Sequence, residues 1–284
     1  MRVNTYYKPA TLREALVCMR SGGIVKALAG GTDLIIEMNG GKIALDALVD
    51  LSAISELKNI EAREDGLHVG SMATFSQIAS SALVQKICPM LAEAAAMVGS
   101  TQVRNSGTIG GNLANAATAA DTVPALMAAD AVAVIKNAEG MRVLPVTNIP
   151  TGLNTTCLAA DELIFELIIP RHTGCFMAFE KIGRRKALAI SRINMGLLLE
   201  MTGSTIARAA VAYGAVGKTA YRVTELETFL EGKQLDEALI KQAGDLAEKI
   251  VTEKLAGRKT TPYKRKIAAA VLRRALTRAN GGAV

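Results

Sequence analysis

The stretch Lys26-Ala-Leu-Ala-Gly-Gly-Thr-Asp-Leu34 begins as an apolar run, breaks at two adjacent glycines and continues with Thr-Asp. This order predicts a strand, a tight turn and the start of a helix. Glycine accepts the positive φ angles of a tight turn and has no Cβ, so consecutive backbone N–H groups can converge on an anion. The stretch therefore predicts a phosphate-binding turn. An ordinary strand-turn-helix connection, in which Asp33 caps the helix, is the alternative.

A second glycine pair lies in Thr108-Ile-Gly-Gly-Asn-Leu113. Two separate Gly-Gly turns, each followed by a hydrogen-bonding residue, suit a ligand with two linked phosphates. One turn can hold each side of the diphosphate. The second pair thus favours the phosphate interpretation of the first.

The composition indicates a globular protein. At 284 residues, half of them hydrophobic and 21% charged, the chain can bury sizeable cores and exceeds the usual length of one domain. No uninterrupted apolar stretch reaches the ~18 residues of a membrane span, and the first residues lack the apolar segment of a signal peptide. We therefore expect two domains, no membrane span and a cytoplasmic location.

Several common chemistries have no support in the sequence. There is no G-x-x-x-x-G-K-S/T phosphate loop, no strand-linked G-x-G-x-x-G and no G-x-S-x-G nucleophile elbow. Cys18, Cys88, Cys157 and Cys175 are scattered, without histidine at ligand spacing, so no metal site is predicted. Redox chemistry in this chain would therefore need a borrowed cofactor.

The net charge of +7 is concentrated in basic runs between residues 257 and 278. Such runs are typical of solvated helix faces. Nucleic-acid binding is not predicted, because the runs have neither aromatic interleaving nor the pattern of a known module. A docking surface for an acidic partner subunit remains open.

Periodicity predicts the order of the elements. Thr11-Leu-Arg-Glu14 is a capping box that starts a helix, which we expect to stop at Gly22-Gly23. Strands and helices then alternate, which is typical of an α/β region. Beyond Pro170 three β-rich segments, 175–182, 191–201 and 205–214, predict an antiparallel meander. Helical segments follow at 223–253, with a break near Gly232, and at 262–279. We place a domain boundary between residues 172 and 173.

The two glycine stretches resemble the paired FAD signature of the flavin-binding medium subunit of molybdenum hydroxylases, the family of xanthine dehydrogenase and aerobic carbon monoxide dehydrogenase. Three further motifs are similar to family patterns in the same order, so the resemblance covers nearly the whole chain. They are Gln102-Val-Arg-Asn-Ser-Gly-Thr-Ile-Gly-Gly-Asn112, Phe179-Glu-Lys-Ile-Gly-Arg-Arg185 and Tyr263-Lys-Arg-Lys-Ile-Ala-Ala-Ala-Val-Leu-Arg-Arg-Ala-Leu276.

The resemblance implies an α+β fold. Residues 1–172 are expected to form a PCMH-type FAD-binding domain of two α/β lobes. Residues 173–284 are expected to form a C-terminal domain with a three-stranded antiparallel sheet and helices.

The resemblance also implies FAD as the cofactor and a set of residues that hold it. The first turn wraps the diphosphate and the second turn opposes it. Lys26 is implied near the adenine end, Asp121 as an acceptor for ribityl or ribose hydroxyls, Ile164 against an aromatic ring and Lys181 near the flavin. A helix cap for Asp121 and core packing for Ile164 stay open as alternatives. Lys181 could also be an exposed lysine without a role, and a shift of one residue would put Glu180 in its place. The implied cofactor-binding residues are Lys26, Ala29, Gly30, Gly31, Thr32, Asp33, Leu34, Thr108, Gly110, Gly111, Asn112, Asp121, Ile164 and Lys181. No catalytic residue and no metal ligand are implied.

The implied role is that of one subunit in an oxidoreductase complex. In the family, substrate is oxidised at a molybdenum centre on a large subunit and electrons cross two [2Fe-2S] clusters on a small subunit. FAD on the medium subunit then passes them to a terminal acceptor such as NAD. A molybdenum-cofactor large subunit and a [2Fe-2S] small subunit are therefore the implied partners. The alternative is a non-catalytic scaffold or assembly subunit that has lost flavin. A free-standing FAD enzyme is a third reading, for which no constellation of acids and bases is present.

Overall fold

The first lobe is a small parallel sheet with two helices, in a computed structural model that describes residues 3–185 and 188–281. Its elements are β1 (Val3–Tyr7), α1 (Leu12–Cys18), β2 (Val25–Leu28), α2 (Leu34–Asn39) and β3 (Leu45–Asp50). The strands lie in the order β1-β3-β2. Thr11 and Glu14 form the predicted capping box. The helix they start ends at Cys18, earlier than predicted, and a turn with positive φ at Gly22 and Gly23 follows.

The second lobe is a five-stranded antiparallel sheet with helices inserted between its strands. Its elements are β4 (Ile60–Ala62), β5 (Gly66–Gly70), α3 (Phe75–Ser80), α4 (Ala82–Ile87), α5 (Pro89–Ala96), α6 (Thr101–Ser106), α7 (Ile109–Asn115), α8 (Thr122–Ala128), β6 (Val132–Lys136), β7 (Met141–Pro145), β8 (Pro150–Gly152), β9 (Thr155–Thr156) and β10 (Leu163–Pro170). The strand order is β4-β5-β10-β6-β7, and β8 and β9 form a separate pair.

The C-terminal part contains the predicted meander and helices. Its elements are β11 (Cys175–Gly183), β12 (Ser191–Thr202), β13 (Thr205–Gly214), β14 (Tyr221–Arg222), α9 (Thr224–Leu230), α10 (Glu237–Lys254) and α11 (Thr261–Ala279). The sheet has the order β11-β12-β13-β14, so a fourth strand of two residues extends the three that the sequence predicts. Among residues 3–185 and 188–281, no helix combines the length and the apolar composition that crossing a bilayer requires.

The C-terminal sheet is buried on both faces. Leu197 and Leu199 of β12 pack in one core with the helices α9 to α11, whereas Leu198 packs in the core of the second lobe. Alternate side chains of one strand therefore serve two cores. Packing is continuous across residues 172 and 173, so the domain boundary there stays a prediction.

Gly196 allows α8 to lie directly on β12. A Cβ at this position would be 2.6 Å from the carbonyl oxygen of Pro124 and 3.0 Å from Cα of Ala125. We predict that Gly196→Ala lowers the free energy of unfolding by about 2 kcal/mol, because backbone atoms cannot yield as side chains do. Urea denaturation followed by circular dichroism measures the change. Gly140→Ala, at a site with open space, is the control; equal losses for both variants would contradict the packing argument.

Candidate functional site

A cavity of about 640 Å³ opens where the first lobe meets the second. Its size falls in the range of small-molecule and cofactor sites. Twelve of the fourteen residues predicted from the sequence line it, and Asp121 and Lys181 do not. The twelve are Lys26, Ala29, Gly30, Gly31, Thr32, Asp33, Leu34, Thr108, Gly110, Gly111, Asn112 and Ile164.

The turn between β2 and α2, residues 29–34, forms one wall of the cavity. Gly31 has φ of +69°, a conformation that L side chains rarely adopt. A Cβ on Gly30 would lie 2.0 Å from the carbonyl oxygen of Ser106. Only glycine at position 30 therefore lets this turn touch the segment that leads into α7, and that contact brings the two glycine pairs together.

The amides of this turn are open to a ligand. Within the described ranges, the N–H groups of residues 30–34 donate to no protein acceptor. Asp33 occupies the N-cap position of α2, but its side chain accepts no cap hydrogen bond. The turn is therefore not an ordinary capped helix start. Five successive donors beside a cavity suit an anionic group.

The second glycine pair is not the tight turn that the sequence predicts. Gly110 and Gly111 lie in the first turn of α7, and Thr108 caps this helix by accepting a hydrogen bond from the Gly111 amide at 3.1 Å. A threonine N-cap is a helix signal. In the sequence, Gly110 and Gly111 obscure this signal, because glycine has a low helix propensity.

The two glycines of α7 have different surroundings. The Gly110 amide donates to the carbonyl of Ser71 at 2.9 Å, and a Cβ at Gly110 would lie 2.5 Å from Cβ of Ser71. A Cβ at Gly111 would meet only Oγ1 of Thr108 at 3.0 Å and Cβ of Ala29 at 3.6 Å. Gly110 is thus required for packing, whereas Gly111 keeps cavity space free. The Gly111 amide can donate to a ligand only if it gives up its hydrogen bond to the Thr108 hydroxyl.

Ser71 lines the cavity, although no sequence motif indicates this role. It is 4% exposed and lines the cavity, and its hydroxyl has no hydrogen-bond partner among the described residues. A buried hydroxyl without a partner costs stability. A ligand oxygen at the N-terminal end of α7 would satisfy it. The sequence carries no signal for this serine, which directly follows β5 and belongs to no recognisable motif.

Asn112 is held in place by Thr122, whose hydroxyl donates to Oδ1 of Asn112 at 2.7 Å. The Nδ2 donors of Asn112 have no protein acceptor in the part of the chain that the structure describes. A fixed amide with free donors adds a second polar group on the α7 side. Amide donors from the turn, one hydroxyl and one side-chain amide together fit the charge and size of a diphosphate.

The strand β10 closes the other side of the cavity. Ile164 is 6% exposed and belongs both to the cavity wall and to the second-lobe core, so its two predicted roles are compatible. Nearby, the Arg142 guanidinium donates to Glu162 through Nε and Nη2, both at 2.7 Å. These hydrogen bonds, against the opposing effect of burial, hold the pKa of the Glu162 carboxyl below its ordinary value. Burial, with the charge of Glu37 adding to it, raises the pKa of the Asp33 carboxyl at the cavity rim.

Asp121 is the centre of a buried polar cluster beside the cavity. Its carboxylate accepts hydrogen bonds from Lys181 Nζ at 2.6 Å, Ser191 Oγ at 2.5 Å and Asn194 Nδ2 at 2.8 Å. No side-chain cap bond to α8 is made, which excludes the helix-cap alternative. The three donors come from β11 and β12, so the cluster joins the second lobe to the C-terminal sheet.

Lys181 is nearly as buried as Asp121. Its ammonium also donates to the carbonyl of Met97 at 2.8 Å, next to the cavity residue Val98. The neighbouring Glu180 faces the opposite side of β11 and pairs with Arg274 and Arg278 of α11. Asp121 and Lys181 therefore satisfy each other at the margin of the cavity, and a direct contact of either with a cofactor stays a prediction.

Comparison with protein families gives two matches. The FAD binding domain in molybdopterin dehydrogenase matches residues 1–172, and the CO dehydrogenase flavoprotein C-terminal domain matches residues 178–279. The nicotinate dehydrogenase FAD-subunit of Eubacterium barkeri is 34% identical over 239 residues, which are 81% of this chain and 80% of that protein. The xanthine dehydrogenase FAD-binding subunit of Escherichia coli O157:H7 is 30% identical, over 82% of this chain and 80% of that protein.

Among solved structures, a carbon monoxide dehydrogenase chain from Hydrogenophaga pseudoflava superimposes with a TM-score of 0.92 at 28% identity. The match covers 99% of this chain and 98% of that chain. The fold thus agrees over nearly its whole length with that chain.

The Asp121–Lys181 pair gives a stability prediction. We expect Lys181→Met to lower the free energy of unfolding by about 3 kcal/mol, because a buried carboxylate loses its counter-charge. Arg273→Met, which removes an exposed pair with Asp245, should cost no more than about 1 kcal/mol and is the control. Thermal denaturation of the two variants measures the difference. Adding Asp121→Asn to Lys181→Met should recover part of the loss; independent, additive losses would contradict a coupled pair.

Proposed function

The chain belongs to the family of FAD-binding subunits of molybdenum hydroxylases, and from this premise we propose that FAD occupies the cavity between the two lobes. We propose further that the chain passes electrons from [2Fe-2S] clusters of a partner subunit, through FAD, to a terminal acceptor such as NAD. The observation that supports this proposal is the row of unpaired amides at residues 30–34, which faces a cavity of cofactor size.

Different residues of the cavity are proposed to hold different parts of FAD. The amides of residues 30–34 and the hydroxyl of Ser71 supply donors for the two phosphates, which need no metal when backbone N–H groups neutralise them. Lys26 is proposed near the adenine end and Ile164 against a ring. Thr108, Gly110, Gly111 and Asn112 are proposed as the opposing wall.

The chain acts by binding and positioning. FAD, when bound, supplies the redox chemistry that the side chains lack. The turn at residues 29–34 and α7, which line the cavity, would hold the cofactor in place. No acid, base or nucleophile of this chain is required for such a role.

The partners follow from the family. We propose a molybdenum-cofactor large subunit, where substrate is oxidised, and a [2Fe-2S] small subunit, which delivers electrons to this chain. The alternative role, a scaffold that has lost flavin, is less well supported. A chain without a ligand has no use for an unpartnered hydroxyl at Ser71 or for amides left open in the adjacent turn.

Gly111 gives the cleanest test of flavin binding. We predict that Gly111→Val lowers the affinity for FAD at least about tenfold, since its methyl groups enter the cavity. The thermal midpoint of the flavin-free chain should change little, because the better helix propensity of valine offsets the displacement of the Thr108 hydroxyl, which would lie 3.0 Å from the new Cβ. Flavin absorbance per chain measures occupancy in wild type and variant. Gly140→Val, at an exposed hairpin, is the control; wild-type flavin content in Gly111→Val would contradict the assigned cavity.

Replacing Ser71 should change the thermal stability and the ligand affinity in opposite directions. Ser71→Ala should raise the thermal midpoint of the flavin-free chain, because it removes a buried hydroxyl that has no partner. The same variant should bind FAD and ADP about fivefold more weakly, which corresponds to one lost hydrogen bond of about 1 kcal/mol. Binding of riboflavin, which has no phosphate, should not change. Fluorescence titration measures all three ligands, with Ser80→Ala as control. Equal weakening of riboflavin binding would place Ser71 away from the phosphates.

A further inference from the structure

Charge is distributed unequally between the two parts of the chain. Residues 173–284 contain twenty Lys and Arg against ten Asp and Glu, whereas residues 1–172 contain thirteen against sixteen. The C-terminal part thus carries the whole positive excess. Its basic runs have no part in the proposed flavin binding.

Much of this basic charge is neutralised inside the C-terminal part. Arg274 and Arg278 pair with the buried Glu180, and Arg273 pairs with Asp245. Arg265 and Lys266 both pair with Glu248. The Lys266 Nζ lies 2.9 Å from Oε1 of Glu248. These side chains have structural partners and need no external one.

Three other cations converge without a carboxylate. Lys264 in the first turn of α11 donates to the carbonyl of Ala215, at the end of β13. Burial lowers the pKa of its ammonium, and the positive charges of Arg192 and Arg258 lower it further. Over residues 3–185 and 188–281, none of the three cations has an Asp or Glu oxygen within 4.0 Å.

The positions of these three cations are electrostatically unfavourable. The first turn of α11 contains no acidic residue, although the N-terminus of a helix carries partial positive charge and favours Asp or Glu. Like charges held close together also reduce stability. An external anionic surface would compensate both costs.

Exposed apolar side chains border the same cations. Ile190, two residues before Arg192, is 83% exposed, and Tyr263, next to Lys264, is 51% exposed. Arginine and tyrosine around apolar groups are typical of the energetically important centre of protein interfaces. A small anionic ligand would use the cations but leave the isoleucine in water, so a protein partner fits the surface better.

The three segments lie at one end of the C-terminal sheet. The pairing of Gly183 with Ser191 and of Asn194 with Gly214 brings the β11–β12 loop beside the end of β13. Ser191 and Asn194 are also the residues that bind Asp121 beside the cavity. A partner on this end would therefore stand next to the proposed flavin site.

We propose that Arg192, Arg258 and Lys264, with Ile190 and Tyr263, form a basic end surface on which an acidic partner subunit docks. The occupant is a protein that presents carboxylates around an apolar centre. Its identity as the [2Fe-2S] subunit rests on the proposed function, whereas the docking surface itself does not.

Charge reversal in the native complex tests the surface. The full chain carries an affinity tag in its own host, and the co-purified chains are identified by mass spectrometry and by their iron–sulfur absorbance. Arg192→Glu with Arg258→Glu should reduce partner retention at least tenfold and weaken its salt dependence, with flavin content per chain unchanged. Lys241→Glu with Lys249→Glu, two exposed cations of α10, is the matched control and should retain the partner.

The outcomes separate this inference from the proposed function. Full partner retention in the Arg192/Arg258 variant, or equal loss in the control, would overturn the docking surface. Loss of NAD binding or of bound nucleic acid with the partner retained would overturn it as well, since the surface would then serve a small or polymeric anion. A wild-type complex that holds its partner but no flavin would refute the proposed function and leave the docking surface intact.

Discussion

The cavity exists because two stretches of backbone approach each other more closely than any side chain allows. At Gly30 a Cβ would lie 2.0 Å from the carbonyl oxygen of Ser106, and at Gly110 it would lie 2.5 Å from Cβ of Ser71. These contacts fix the first turn and α7 on opposite walls of one space. Gly31, with its positive φ, lies in the turn that lines this space, and the amides of residues 30–34 donate to no acceptor among the described residues. A larger residue at position 30 would push this turn away from the backbone of Ser106 and Gly107.

Local patterns in the sequence predict local structure well. The capping box at Thr11 starts a helix as expected, and the meander of β11 to β13 has nearly the predicted bounds. Features that depend on contacts between distant residues could not be predicted from the sequence. The glycines of α7 conceal a helix, Ser71 gives no sign of its orphaned hydroxyl, and Ser191 and Asn194 reach Asp121 only through tertiary packing. The family resemblance identifies the cavity wall, but it does not indicate which amides are free.

The C-terminal sheet links the cavity to the rest of the molecule. Because β12 packs on the second lobe with one face and on α9 to α11 with the other, it cannot move without disturbing both cores. The Asp121 cluster adds a polar connection from β11 and β12 to the segment after α7. The proposed basic end surface lies at the same end of this sheet, so a docked partner and a bound flavin would share one rigid support.

The measurement that tests the diphosphate assignment most directly is a crystal structure of the flavin-loaded chain. The expected density places both phosphorus atoms against the amides of residues 30–34, with a phosphate oxygen on the Ser71 hydroxyl. Density for the diphosphate elsewhere, with those amides still facing solvent in a fully loaded protein, would contradict the assignment.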